Sequence, residues 1–261
     1  MKKTHPSQWE SLVKQLRAQK AVSRAQLAEL VAEHLGVTTD HALRRLRRKG
    51  ILKRAEGVYV VANRRSSGEA FIRNPIMAIR AKYGADVLFC YGTALDIQNL
   101  SRYGRLTDHY IAVPRPRNVE PLGQIRVRPV RTALGDTMGV ETVDIAGHPV
   151  HVTDVERTII DCIHRPKYAQ GWENVFHAIG RVKRLREDRV SRYLKRYRLP
   201  SLVAKTCVIL DRFSKDLGIS QDTLDRFRPY LPSSPIHMDK GQSSSLNKKW
   251  NVYVPKDLLP D

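Results

Sequence analysis

Between Ser7 and Gly50 apolar residues recur at three- and four-residue spacing in three consecutive blocks, a pattern that short helices packed on one another bury. Trp9, Leu12, Val13 and Leu16 form the first stripe, and Ser7-Gln8-Trp9-Glu10 ahead of it has the form of a capping box. Ser23-Arg24-Ala25-Gln26 repeats that form, and Leu27, Leu30 and Val31 carry a second helix to about His34. Leu35-Gly36-Val37-Thr38 then interrupts the pattern, the glycine ending one helix and Thr38 capping the next. The third helix runs to Lys49 and is stopped by Gly50. Its apolar side holds Ala42, Leu43 and Leu46; His41, Arg44, Arg45 and Arg48 fall opposite, with Arg47 at the flank. Ile51 to Val61 reads as two short strands around a Glu56-Gly57 turn.

A solvated helix normally mixes signs so that i,i+4 pairs form, yet positions 44–49 carry five basic residues and no acid. The whole chain of 261 residues has a formal charge of +20, and residues 1–65, with 15 Lys/Arg against 5 Asp/Glu, hold half of it. Such a face attracts polyanions, and guanidinium groups match guanine edges and phosphates. Helix, glycine turn, helix and hairpin resemble the winged helix-turn-helix domain of bacterial transcription regulators. The resemblance implies double-stranded DNA as partner. Thr39, His41, Arg44, Arg45 and Arg48 would face the groove, and Lys53, Arg54 and Tyr59 would hold the backbone from the wing. A merely solvated basic face is the competing reading.

Arg64-Arg65-Ser66-Ser67-Gly68 is a polar break, which predicts a boundary between domains at 5–65 and 70–258. Beyond it strands are expected at Val87–Tyr91, Tyr110–Val113, Ile125–Val130 and Val140–Val152, the last folded about Ala146-Gly147. Thr153-Asp154-Val155-Glu156 reads as a third capping box, and helices dominate from there to about Phe227, with a serine-bearing loop at 243–245 before a terminal strand at 250–254. Strands followed by helices predict an α+β fold: a winged helix-turn-helix, then a larger mixed domain. Cys90, Cys162 and Cys207 are far apart and read as core residues, so neither a metal nor another cofactor is expected. The longest uncharged apolar run, Val87 to Leu95, is too short to span a bilayer, and the basic N-terminus meets no apolar segment; a cytoplasmic protein is expected.

Tyr91-Gly92-Thr93-Ala94-Leu95-Asp96-Ile97-Gln98-Asn99-Leu100 is similar to the Ser/Thr-Ala-Leu helix of the AbiEi family. Val152-Thr153-Asp154-Val155-Glu156-Arg157-Thr158-Ile159-Ile160-Asp161 resembles that family's Glu-Arg-Thr-apolar-apolar-Asp element, followed by Arg165-Pro166 and Gly171-Trp172-Glu173-Asn174-Val175. The resemblance covers nearly the whole chain. It implies an antitoxin of a type IV toxin–antitoxin or phage-abortive system that represses its own operon at inverted repeats in the promoter. It also implies a functionally paired nucleotidyltransferase toxin with which no stable complex forms, and no enzymatic activity of the chain itself.

Other readings compete at particular residues. Gly92-Thr93-Ala94-Leu95 also looks like a nucleotidyltransferase loop, but Asp108-His109-Tyr110 supplies one carboxylate where such enzymes need two or three for their metals; Gly92-Thr93 then reads as a helix start capped by Thr93. His148 and His151 fall on opposite faces of a strand, and His164 reads as structural. Residues 181–198 form a second basic block, nine of eighteen, opposed only by Glu187 and Asp188. Val182, Leu185, Val190, Leu194 and Tyr197 make its buried stripe. Arg181, Lys183, Arg184, Arg186, Arg189, Arg192, Lys195 and Arg196 then form either a solvated surface or a second face for DNA, RNA or an acidic partner. A regulator with a ligand-sensing second domain shares the same N-terminal pattern.

Overall fold

The computed structural model describes residues 6–55, 57–62, 74–103, 108–115, 119, 121–239 and 244–255. The proposed boundary at 64–68 and Glu56 lie outside them. The first part contains α1 (Pro6–Gln19), β1 (Ala21–Ser23), α2 (Arg24–His34), α3 (Thr39–Arg48), β2 (Leu52–Ala55) and β3 (Val58–Val61). α1 already begins at Pro6, whose fixed φ suits a first helical position, so Ser7 lies inside the first turn rather than ahead of it as expected. The second box forms as read: Ser23 Oγ accepts from the Gln26 amide, and the Gln26 side chain accepts from the Ser23 amide. Thr38 Oγ1 accepts from the His41 amide at the start of α3.

β1 was not legible in the sequence, being three residues between two helices. Lys20 takes a left-handed turn (φ 63°) that turns the chain from α1 into it, and it pairs antiparallel with β3 to give a sheet ordered β1-β3-β2. Both faces of this sheet are covered. Leu52 and Tyr59 join the cluster of Leu12, Leu16, Leu27 and Leu46, while Ala55, Val58 and Val60 point the other way. The unbroken run Val58-Tyr59-Val60-Val61 follows from that, because a strand buried on both faces needs no polar alternation.

On the far face lies α4 (Pro75–Tyr83), capped by Asn74. Its Ile76, Ala78, Ile79 and Ala81 share one hydrophobic cluster with Ala21, Val58 and Val60 on one side and with Phe89, Ile111, Val127, Val150 and Val152 of a second sheet on the other. That sheet comprises β4 (Leu88–Phe89), β5 (Asp108–Ala112), β6 (Arg126–Val130), β7 (Val140–Ile145) and β8 (His148–Thr153) in the order β6-β5-β4-β8-β7, mixed in direction. Ala146 and Gly147, both left-handed, make the β7–β8 turn where the sequence placed it.

The opposite face of the second sheet is covered by α5 (Tyr91–Ile97), α6 (Val155–His164), α7 (Trp172–Arg181), α8 (Glu187–Tyr197) and α9 (Pro200–Arg212). The short helices α10 (Ser214–Leu217) and α11 (Gln221–Asp225) follow. A small sheet of β9 (Ile236–His237), β10 (Ser244–Asn247) and β11 (Val252–Pro255), ordered β10-β11-β9, closes the chain. Ser244 and Ser245 are therefore strand residues rather than the expected loop, because they pair with Pro255 and Val254; Ser243 lies outside the described residues. The fold is α+β, and the three cysteines are buried and unpaired.

α6 is capped by Asp154, whose Oδ1 accepts from the Arg157 amide at 2.8 Å, one residue later than the box read at Thr153. Thr153 bonds Thr158 instead. Arg157 is fully buried. Its guanidinium bonds Asp161 Oδ2, the Met138 carbonyl, Thr132 Oγ1 and the Gly135 carbonyl, so one side chain of α6 satisfies the loop that joins β6 to β7. Tyr197 of α8 donates to the other oxygen of Asp161. Gly139 is left-handed and has no room for a Cβ, which would lie 2.7 Å from the Tyr193 hydroxyl and 3.1 Å from Arg157 Cδ. Burial pushes the Asp161 carboxyl up to about 6 against the opposing pull of Arg157 and Tyr197. Arg157→Met strands that carboxylate and should destabilise the protein by about 3–5 kcal/mol, measured by urea unfolding.

His109 on β5 is buried with neither ring nitrogen hydrogen-bonded among the described residues, and burial lowers its pKa to about 4. It is neutral in the folded protein and titrates near 6.5 when unfolded, so its contribution to stability is present above 6.5 and is lost as pH falls towards 4. The native protein should lose roughly 2 kcal/mol between pH 7 and pH 5 through this residue, and unfolding curves of His109→Leu should lack that component.

Candidate nucleic-acid interface

α3 is positioned by its apolar side. Ala42, Leu43 and Leu46 are buried against α1 and α2, which turns His41, Arg44 and Arg48 outward, all three exposed. Among the described residues no carboxylate pairs with Arg44, Arg45, Arg47, Arg48 or Lys49 within 4 Å; the one acid of the helix, Asp40, pairs with Arg24 at 2.8 Å. Arg44 Nε reaches the Asp40 carbonyl at 3.4 Å, which lays its side chain along the helix. The arrangement is a convex strip of cationic donors without internal neutralisation, suited to bidentate contact with an anionic, flat-edged ligand.

Arg45 does not belong to that strip. Its guanidinium lies 4.2 Å from the centre of the Trp9 ring and is half-buried, lining a groove of about 480 Å³ between α1 and α3 with Glu10, Val13, Lys14, Arg17 and Lys49. A wheel drawn for α3 alone cannot reveal this, because the ring that captures Arg45 comes from another helix. Thr39 is half-buried at the first position of α3. On the hairpin, Arg54 is exposed and Lys53 half-buried. Tyr59, expected at the backbone of a nucleic acid, is instead 7% exposed within the three-helix cluster. Tyr59 points into the face of the hairpin that packs on α1, α2 and α3, so it is an inward residue, while α4 covers the opposite face at Val58 and Val60.

The second basic block is not one free surface. Arg189 is turned inward, its Nη1 3.3 Å from both Asp154 Oδ2 and Glu156 Oε2, which cap and open α6. The Arg186 amide donates to Glu156 at 2.9 Å, and the guanidiniums of Arg186 and Arg192 flank Asp188. Arg181 reaches the Asn99 carbonyl, and the stem of Arg184 lies where a Cβ on Gly218 would stand 3.3 Å away. Of the eight residues singled out, Arg181, Lys183, Arg184, Lys195 and Arg196 are exposed without an ion pair among the described residues. The stripe of Val182, Leu185, Val190, Leu194 and Tyr197 is buried as read.

The loop resembling that of nucleotidyltransferases has a different use. A Cβ on Gly92 would lie 2.7 Å from the Tyr168 carbonyl, so the glycine permits close approach of the 3-10 turn Pro166–Ala169. Thr93 is not a cap: the position before α5 is Cys90, and Thr93 Oγ1 accepts from the Tyr110 amide at 2.7 Å, extending the β5 ladder. Asp108 stands 2.8 Å from Arg126 and 3.3 Å from Arg128, which neutralise its charge. His148 and His151 are separate surface residues on β8, the latter bonded to Thr142. Among the described residues no group of three His, Cys, Asp or Glu is placed to hold a metal ion, and no helix is long and apolar enough to cross a membrane.

No protein-family model and no curated protein matches the chain. Among solved structures, the RV2827C protein from Mycobacterium tuberculosis is similar with a TM-score of 0.64 at 18% identity, covering 95% of this chain and 92% of that one. At that identity the likeness is one of fold, and it extends through both parts of the molecule.

The divided roles of the α3 arginines are measurable as stability. Arg45→Ala loses its packing on Trp9 and should cost about 1 kcal/mol, whereas Arg44→Ala and Arg48→Ala should each stay within about 0.5 kcal/mol of the native protein in urea unfolding.

Proposed function

We propose that the chain is a DNA-binding transcriptional repressor whose first part is a winged helix-turn-helix, with α3 as the recognition helix and the β2–β3 hairpin as the wing. The observation that carries this reading is the outward strip of His41, Arg44 and Arg48, which has no acidic partner among the described residues and is held by a fully apolar inner face. Rigid backing matters, because base-edge contacts require side chains aimed from a fixed element. Arg54 on the hairpin, together with Arg47 and Lys49 at the flanks, supplies phosphate contacts that set register.

The resemblance of 91–100 and 152–161 to the AbiEi family extends the proposal: the repressor acts on inverted repeats of its own promoter and counteracts a nucleotidyltransferase toxin without a lasting complex. The elements that carry the resemblance form the central contact of the larger part. Tyr91 to Leu95 and the buried Glu156, Arg157 and Asp161 sit together under α8.

The test is an electrophoretic mobility shift on the duplex upstream of the reading frame. Each of Arg44→Ala and Arg48→Ala should weaken specific binding by about 1–3 kcal/mol, and a lost phosphate contact at Arg54 should lower the salt slope by about one. Unchanged affinity of the Arg44→Ala/Arg48→Ala protein would overturn the assignment of α3. Co-expression with the neighbouring nucleotidyltransferase, read as restored growth, separately tests the antitoxin part.

A further inference from the structure

At the junction of the second sheet and its helical layer, Tyr91 has a left-handed backbone (φ 52°) between β4 and α5. For a bulky aromatic residue that conformation costs on the order of 1–3 kcal/mol, and glycine or asparagine would relieve it. The ring is held by Tyr168 (5.1 Å, edge-on) and Tyr110 (6.1 Å), so three tyrosines form one cluster. The Tyr91 side chain is 1% exposed, and it lines a pocket of about 280 Å³. A strained backbone at a cavity is a feature that packing alone does not account for.

The other walls are Arg131, Thr132, Ala133, His164 and Arg165. Arg131 leaves β6 and Arg165 ends α6, so the two guanidiniums belong to different elements. Neither forms an ion pair among the described residues. Arg165 lies 5.7 Å from the Tyr168 ring and His164 lies edge-on to Tyr197 at 5.4 Å, which orients both. Burial, with Arg165 and Lys205 nearby, lowers the His164 pKa. Among the described residues no carboxylate lines the pocket. Asp161 acts electrostatically on Tyr91, but its two oxygens are taken by Arg157 and Tyr197.

We propose that this pocket binds the phosphoryl group of a small phosphate monoester, Arg131 and Arg165 holding its oxygens and the Tyr91 hydroxyl donating to it. Two cations without acidic partners match the charge of a phosphate monoester, close to −2 at neutral pH, better than that of a carboxylate. The volume is at the lower end of small-molecule sites, near roughly 300 Å³, which admits a phosphate with a few carbons attached rather than a duplex. The proposal does not depend on the DNA-binding reading.

The experiment titrates ribose 5-phosphate, with ribose as control, into the full chain by isothermal calorimetry at constant ionic strength. Ribose 5-phosphate should bind, ribose should not, and Arg131→Gln/Arg165→Gln should weaken binding at least about tenfold. Both arginines are exposed, so the double variant should keep its melting temperature and its affinity for DNA. Tyr91→Phe, which keeps the ring and the backbone, should weaken binding as well. Equal affinity in the native and double-variant proteins, or no heat at millimolar ribose 5-phosphate, would overturn the site. Displacement of ribose 5-phosphate by duplex DNA, with loss of DNA affinity in the double variant, would also overturn it, by assigning the pocket to the nucleic-acid surface.

Discussion

The larger part of the molecule is organised around one buried cation. Arg157 has no solvent exposure, and in that environment an unpaired guanidinium would be costly enough to unfold a domain of ordinary stability. Its bonds to Asp161, Thr132 and two loop carbonyls therefore act as a set of requirements. The β6–β7 loop must close over α6, Gly139 must remain without a side chain, and α8 must bring Tyr197 to the second oxygen of Asp161. Asp154 and Glu156 repeat the logic one turn earlier by drawing in Arg189 and Tyr193. The polar residues of 153–161 are thus the joint between sheet and helices.

This joint explains why the second basic block misleads when read as a linear run. Nine cations in eighteen residues look like one continuous polyanion surface, but three of them, Arg186, Arg189 and Arg192, are counter-ions of Asp154, Glu156 and Asp188. The first block differs in kind. Its cations on α3 and at its C-cap have no acidic partners among the described residues.

Much of the first part was legible because its signals are local. Caps at Ser23 and Thr38, the break at Gly36, the stripe of α3 and the turn at Ala146-Gly147 each depend on residues within one turn or hairpin. Readings failed where a distant element decides. β1 is three residues long and exists because β3 offers an edge. Tyr59 is inward because its face of the hairpin packs on the three helices, and Arg45 is set aside because Trp9 of α1 stacks on it. Thr93, expected to cap its own helix, serves the strand seventeen residues further on.

The sequence by itself determined which residues must be inside and where the charge accumulates, since apolar periodicity and the count of lysines and arginines are properties of the chain. It placed a basic helix on an apolar base and an α+β succession after it. Only the tertiary structure decided which cations are free. A guanidinium's role depends on whether a carboxylate or an aromatic ring arrives within a few ångströms, and those neighbours come from elements tens of residues away. The same holds for the pocket at Tyr91: its arginines are thirty-four residues apart in the chain, one following β6 and the other following α6.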